Sequence, residues 1–166
     1  ANPVHLAADL LSQAEHDPRA RAIMVTTSES LANAVSDEVE RQLKLLPRES
    51  IARPAIENNS YIAVMDSVED MFTVMNEVAP EHLEIQLPDP MGYMSLVQNA
   101  GSVFLGAYAS EPLGDYVGGT NHVLPTSGTA RFSSPLGVYD FVKRTSFTQF
   151  TKERLEEVAT HITTLA

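Results

Sequence analysis

A chain of 166 residues that is 43% hydrophobic and 20% charged has enough apolar side chain to bury a core, and its mix is not that of a disordered segment. It carries 22 acidic against 11 basic residues, a formal net charge of −11, so polyanions are repelled and nucleic acid and anionic membrane surfaces are set aside as partners. Cysteine is absent, which excludes disulfides, thiolate metal sites and cysteine nucleophiles.

Asn2-Pro3 predicts a helix start, a capping residue followed by proline where no N–H is needed. Leu6, Leu10, Gln13 and Ala14 fall on one helical stripe, and Asp17-Pro18 stops it. Ala22-Ile23-Met24-Val25 has strand length. Ser28 to Leu46 reads as an amphipathic helix with Leu31, Val35, Val39, Leu43 and Leu46 on its apolar face. Tyr61 to Val64 is a second buried-type strand. Ser67-Val68-Glu69-Asp70 resembles a capping box opening a helix that ends near Pro80. Leu83 to Leu87 alternates like a strand, a short helix follows Pro90, and Ser102 to Leu105 is another strand. Gly106 to Gly137, rich in Gly, Pro, Ser and Thr, reads as one long loop, and loops of that length are commonly functional. A β-like run, Thr145 to Phe150, precedes a helix capped by Thr151. Strands separated by helices predict a layered α/β/α fold with a mostly parallel sheet, ending in a C-terminal helix. Ligands in such folds bind beyond the carboxyl ends of strands.

No apolar run approaches the roughly 18 residues of a membrane span. ANPVHLAADLL lacks the basic start and the cleavage site of a signal peptide, and a cytoplasmic location is expected. The chain begins without Met, so a processed or engineered start is expected.

Three segments carry residues suited to chemistry. Gln13 and His16 are three apart on one helix face, where a carboxamide oxygen and an imidazole nitrogen could share a cation. The plainer reading is a polar helix end with His16 near the C-terminal dipole. In Ala79-Pro80-Glu81-His82-Leu83 an acid and a histidine sit side by side before a strand, and two groups of different pKa could divide acid and base roles. The alternative is a helix-to-strand corner with two exposed polar residues. In the stretch Gly114 to His122, Asp115 could bind a metal and His122 could meet an anionic substrate group; otherwise it is a flexible turn. It fits neither a Walker loop nor G-x-G-x-x-G. His5 and His161 fall on helix surfaces, and Met71 and Met75 at core spacing. Cysteine-free ligation by nitrogen and oxygen suits catalytic Zn²⁺, or Mn²⁺.

At these residues the chain resembles the histidinol dehydrogenases over essentially its whole length. The anchors are LLSQAEHDP (Leu10 to Pro18), APEHLEI (Ala79 to Ile85), NAGSVFLG (Asn99 to Gly106), GDYVGGTNHVLPT (Gly114 to Thr126) and ARFSS (Ala130 to Ser134). The resemblance implies an incomplete Rossmann-like domain and oxidation of L-histidinol through the aldehyde to L-histidine, with two NAD reduced. It implies Gln13, His16 and Asp115 as zinc ligands, zinc acting mainly as a template for the substrate's amine and imidazole. Glu81 and His82 match the acid/base pair: His82 takes the alcohol proton, and Glu81 activates water against the aldehyde. Substrate contacts are expected from Gln13, His16, His82, Asp115 and His122; no residue is assigned to NAD.

Family members are longer. The resemblance therefore implies that residues 1–166 are one α/β domain of a longer homodimeric enzyme, with 151–166 opening a helical tail. The N-terminal part of the family docks NAD and supplies a substrate-contacting serine. Beyond the position of Ala166 the family carries a Glu and the fourth zinc ligand, a histidine contributed across the dimer. His161 precedes that position and is not that ligand. The 166 residues alone are expected to bind zinc weakly, to be inactive, and to expose surfaces prone to association. Two other readings compete. One is a histidinol- or imidazole-binding regulatory module without redox chemistry. The other is a zinc hydrolase using Glu81, disfavoured by the lack of H-E-x-x-H.

Overall fold

The computed structural model describes all 166 residues. Helix α1 spans Pro3–Ala14, and the Asn2 side chain accepts the Val4 amide as its cap. Its buried residues are Ala7, Leu11 and Ala14, with Leu6 and Leu10 packed at the margin, so the apolar stripe lies one residue round from the expected one. Strand β1 covers Ile23–Thr26. Helix α2, Glu29–Leu43, is capped by Ser28 and buries Val35, Val39 and Leu43 as predicted, with Ala32 buried where Leu31 is only half-buried; Leu46 lies beyond its end.

Helix α3, Glu49–Asn59, has no counterpart among the predicted elements and holds Pro54 in its interior. Proline removes one helical hydrogen bond, which hides such a helix from local rules. Tertiary contacts compensate. Ala52 and Ala55 are fully buried against α1 and α2, and Arg53 ion-pairs with Glu40 of α2 and with Glu49 and Glu57 of its own helix. Strand β2, Tyr61–Val64, then runs parallel to β1, with Ile23 opposite Tyr61.

Helix α4, Val68–Val78, is capped by Ser67 and ends at Ala79 in the left-handed region, φ 49°. Strand β3, His82–Ile85, pairs in parallel with β4, Ser102–Leu105, and a 3-10 helix at Pro90–Leu96 lies between them. Both pairings are parallel, as expected for α/β chains, but they form two separate two-stranded sheets, so each strand keeps one unpaired edge. One core gathers α1, α2, α3 and β1 around Val35 and Leu43; the other gathers α4 and β3 around Phe72, Leu83 and Ile85. Helix α4 also packs on β1.

The stretch expected to be one loop contains α5, Glu111–Tyr116, and 3-10 turns at Thr129–Arg131 and Val138–Phe141. Thr145 to Phe150 is not a strand: it pairs with nothing, and Phe147 is 93% exposed. A strand-favouring run becomes a strand only where a neighbour offers a ladder. Helix α6, Lys152–Leu165, is capped by Thr151 as expected and buries no residue. No helix is long and apolar enough to cross a membrane.

Candidate active site

The corner between α4 and β3 places the acid and the histidine. The left-handed turn at Ala79 and the following proline end α4, Glu81 follows, and His82 opens β3. The neighbouring chain grips this corner: Gly101 N donates to Pro80 O at 2.9 Å and Ser102 N to Glu81 O at 2.8 Å. Gly101 passes so close that a Cβ there would stand 2.6 Å from the Glu81 carbonyl oxygen.

The end of α1 presents Gln13 and His16. The His16 Nδ1–H donates to Ser12 O at 2.8 Å, which fixes the tautomer and leaves Nε2 with a free lone pair. Helix α5 presents Glu111 and Asp115 one turn apart. Gly114 lets α5 lie against Phe104 of β4, since a Cβ there would stand 2.7 Å from the ring. The Phe104 and His82 rings meet at 6.1 Å between centroids. Ligand atoms of His82, Glu111 and Asp115 all lie within 4.8 Å of one another. His82 Nε2 is 4.0 Å from Glu111 Oε1, with the two side chains only 20% and 19% exposed.

Charge at this cluster is crowded. Burial pushes the His82 imidazolium pKa down; Glu81 and Asp115 oppose that, and His16 adds to it. Burial also raises the Glu111 carboxyl, followed by a hydrogen bond and charge from Asp115. Deeper in, Glu84 of β3 and Asp9 of α1 form a hydrogen-bonded carboxyl pair. Burial first, then the Asp9 charge, pushes Glu84 up to about 7, and burial raises Asp9.

The pair sets a direction for stability against pH. The folded Glu84 carboxyl holds its proton above the ordinary value of 4.5, so the folded state binds more protons than the unfolded one between there and about 7. Its contribution is complete below about 4.5 and is lost as pH rises through about 7. Because the pair borders open solvent, the loss is discounted to about 1–2 kcal/mol. Urea unfolding across this range is the measurement, and Glu84→Gln is expected to flatten the slope.

A cleft of about 1040 Å³ brings these parts together; Gln13, Glu81, His82, Glu84, Glu111 and Asp9 line it, as do β1 and β3. His16, Glu81 and Asp115 all lie near both His82 and Glu111. Hence His16, Glu81, His82 and Asp115, taken from three segments of the sequence, gather around one point, and Gln13 lines the cleft beside them. His122 does not join them: it is exposed in the loop after α5. Glu111 and Glu84 are the residues that sequence reasoning missed. Glu111 stands four before Asp115, a helical spacing that a long-loop reading of the region conceals.

The donors fit a divalent cation. A carboxamide oxygen, an imidazole with its free Nε2 and a carboxylate are the nitrogen and oxygen donors that zinc accepts in open catalytic sites. A carboxyl group destabilised by a second carboxyl is also what a cation relieves.

The family model described as "Histidinol dehydrogenase" matches residues 1–166. The chain is similar to the histidinol dehydrogenase of Lactiplantibacillus plantarum, 68% identical over the whole chain and 39% of that protein. That of Streptococcus mutans is 61% identical with the same coverage. A crystal structure of histidinol dehydrogenase from Elizabethkingia anophelis superposes with a TM-score of 0.84 at 41% identity, over 100% of this chain and 38% of that one. The chain thus spans about two fifths of the length of the relatives it matches. With the family model matching its full length, the chain belongs to the histidinol dehydrogenase family.

Proposed function

We propose that these residues carry the substrate- and metal-binding part of an enzyme that oxidises L-histidinol to L-histidine in two NAD-linked steps. The observation that carries the reading is the convergence of His16, Glu81, His82 and Asp115 beside a cleft that Gln13 also lines. Gln13, His16 and Asp115 would hold zinc, which when bound anchors the substrate's amine and imidazole. NAD takes up a hydride in each oxidation.

In the first step His82 accepts the hydroxyl proton as the carbinol C–H bond breaks and the aldehyde forms. Burial keeps its imidazole neutral and therefore ready to accept. In the second, Glu81 removes a proton from water as it adds to the aldehyde carbon, and the hydrate's C–H bond then breaks to give the carboxylate. His122 stands exposed in its loop and takes no part in either proton transfer.

In this reading residues 1–166 act as one α/β unit of a cytoplasmic homodimeric enzyme, with α6 opening a helical tail. The relatives are longer, and in this reading the length beyond these residues would supply the NAD site and the rest of the metal shell, leaving the 166 residues inactive alone. The test is incubation of the complete protein with L-histidinol and NAD. Two NADH per histidinol are expected. A zinc-loaded complete protein that forms none would refute the assignment.

A further inference from the structure

Glu84 is a carboxyl group that the proposed chemistry does not use, yet it stands between the two elements that carry the proposed metal ligands, α1 and α5. Its Oε1 accepts the Glu111 amide at 3.3 Å, across 27 residues of sequence, at the first residue of α5. Its Oε2 accepts from Gln86 Nε2 at 3.2 Å. The same carboxyl shares a hydrogen bond with Asp9 of α1. Asp9 lies four residues before Gln13, and Glu111 lies four before Asp115, so each end of the bridge sits one helical turn from a proposed metal ligand. Its own strand carries His82 two residues earlier, on the same face of β3.

We propose that Glu84, with Asp9, is a positioning residue of the site: the carboxyl bridge clasps α1 to the start of α5 and sets the span between Gln13 and His16 on one side and Asp115 on the other. This rests on the reading that those three residues hold the metal. The need for such a clasp follows from the fold. Helix α1 belongs to the first core and β3 to the second, the two sheets share no ladder, and α5 is a single short helix without a buried residue. The carboxyl bridge adds a polar tie across this boundary. A group that orients metal ligands from behind commonly changes metal affinity 10–100-fold when removed.

The test uses the complete protein. Zinc affinity is measured by competition with a chromophoric chelator, alongside steady-state kinetics with L-histidinol. Glu84→Ala is expected to weaken zinc about 10–100-fold and to raise KM for histidinol more than it lowers kcat, since the zinc anchors the substrate. Glu84→Gln keeps an oxygen for the Glu111 amide and offers Asp9 an N–H, so it is expected to restore most of the affinity. If Glu84→Ala does not fold, Asp9→Ala removes the other half of the clasp and should shift zinc affinity in the same direction. Unchanged zinc affinity and KM in a folded Glu84→Ala or Asp9→Ala would overturn the proposal, even with a lowered Tm. So would a Glu84→Gln protein as impaired as Glu84→Ala. A wild-type protein that binds no zinc, or leaves histidinol untouched, would instead overturn the functional reading itself.

Discussion

Replacing His82 by Asn in the complete protein is expected to lower kcat for histidinol oxidation about 10²–10⁴-fold, the usual worth of a positioned general base. The argument is geometric. His82 begins β3, its ring packs against Phe104, and it faces the carboxyl cluster on α5, so asparagine loses the proton acceptor while the strand and its pairing to Ser102 remain. The metal donors Gln13, His16 and Asp115 are untouched, so zinc affinity and the KM for histidinol should change little. Glu81→Gln separates the two oxidations. The alcohol step keeps its base, the aldehyde step loses the group that activates water, and NADH per histidinol should fall from two towards one. Steady-state rates combined with product analysis check both variants. A His82→Asn protein of wild-type kcat would remove His82 from the chemistry, and full conversion to histidine at normal rate by Glu81→Gln would do the same for Glu81.

Gly101→Ala is the second large effect expected, and it comes from one added methyl group. The methyl would be 2.6 Å from the Glu81 carbonyl oxygen and 3.1 Å from Pro125 Cδ. One obstacle is main chain and the other a rigid ring, so neither can swing aside as a long side chain would. Relief requires the approach to β4 to move away from the corner, stretching the bonds from Gly101 N to Pro80 O and from Ser102 N to Glu81 O. Overpacking of this kind costs about 1–3 kcal/mol. The displaced main chain belongs to Glu81 and borders His82, and a shift of about 1 Å at reacting groups is enough to cost about 10²-fold in rate. Thermal unfolding and turnover together test this. Loss of stability with normal turnover would show that the corner relaxes without moving the acid and the base. Wild-type behaviour in both would mean that the close approach is not maintained in solution.

Much of the helix content was legible from local signals. Asn2-Pro3, Ser28, Ser67 and Thr151 each mark a helix start, and each side chain makes the capping bond expected of it. These are short-range devices, complete within four residues. Helix α3 and helix α5 were not legible. Pro54 argues against the first, and Gly, Pro and Asp within Glu111–Tyr116 argue against the second. Both form because packing and side-chain partners from elsewhere outweigh weak local preference: Arg53 ties α3 to α2, and Glu84 receives the first amide of α5. Thr145 to Phe150 fails in the opposite way, since its strand-favouring Thr and Phe residues find no strand beside them.

For the site, the residue types and their spacing were determined by the sequence alone: Gln13 with His16, Glu81 with His82, and Asp115 in a glycine-bearing stretch. Their meeting was decided by tertiary structure, which packs α1 and α5 near the start of β3 and gathers Glu81, His82, Glu111 and Asp115 about a common point. The same holds for Glu111 and Glu84, ordinary acids by any local rule, whose raised pKa values arise only from burial and from carboxyl neighbours brought in from distant segments. Helix caps and ligand spacings depend on neighbours along the chain and can be read from it. The shared field of five side chains depends on distances across the fold, which only the packing of two cores around one cleft sets.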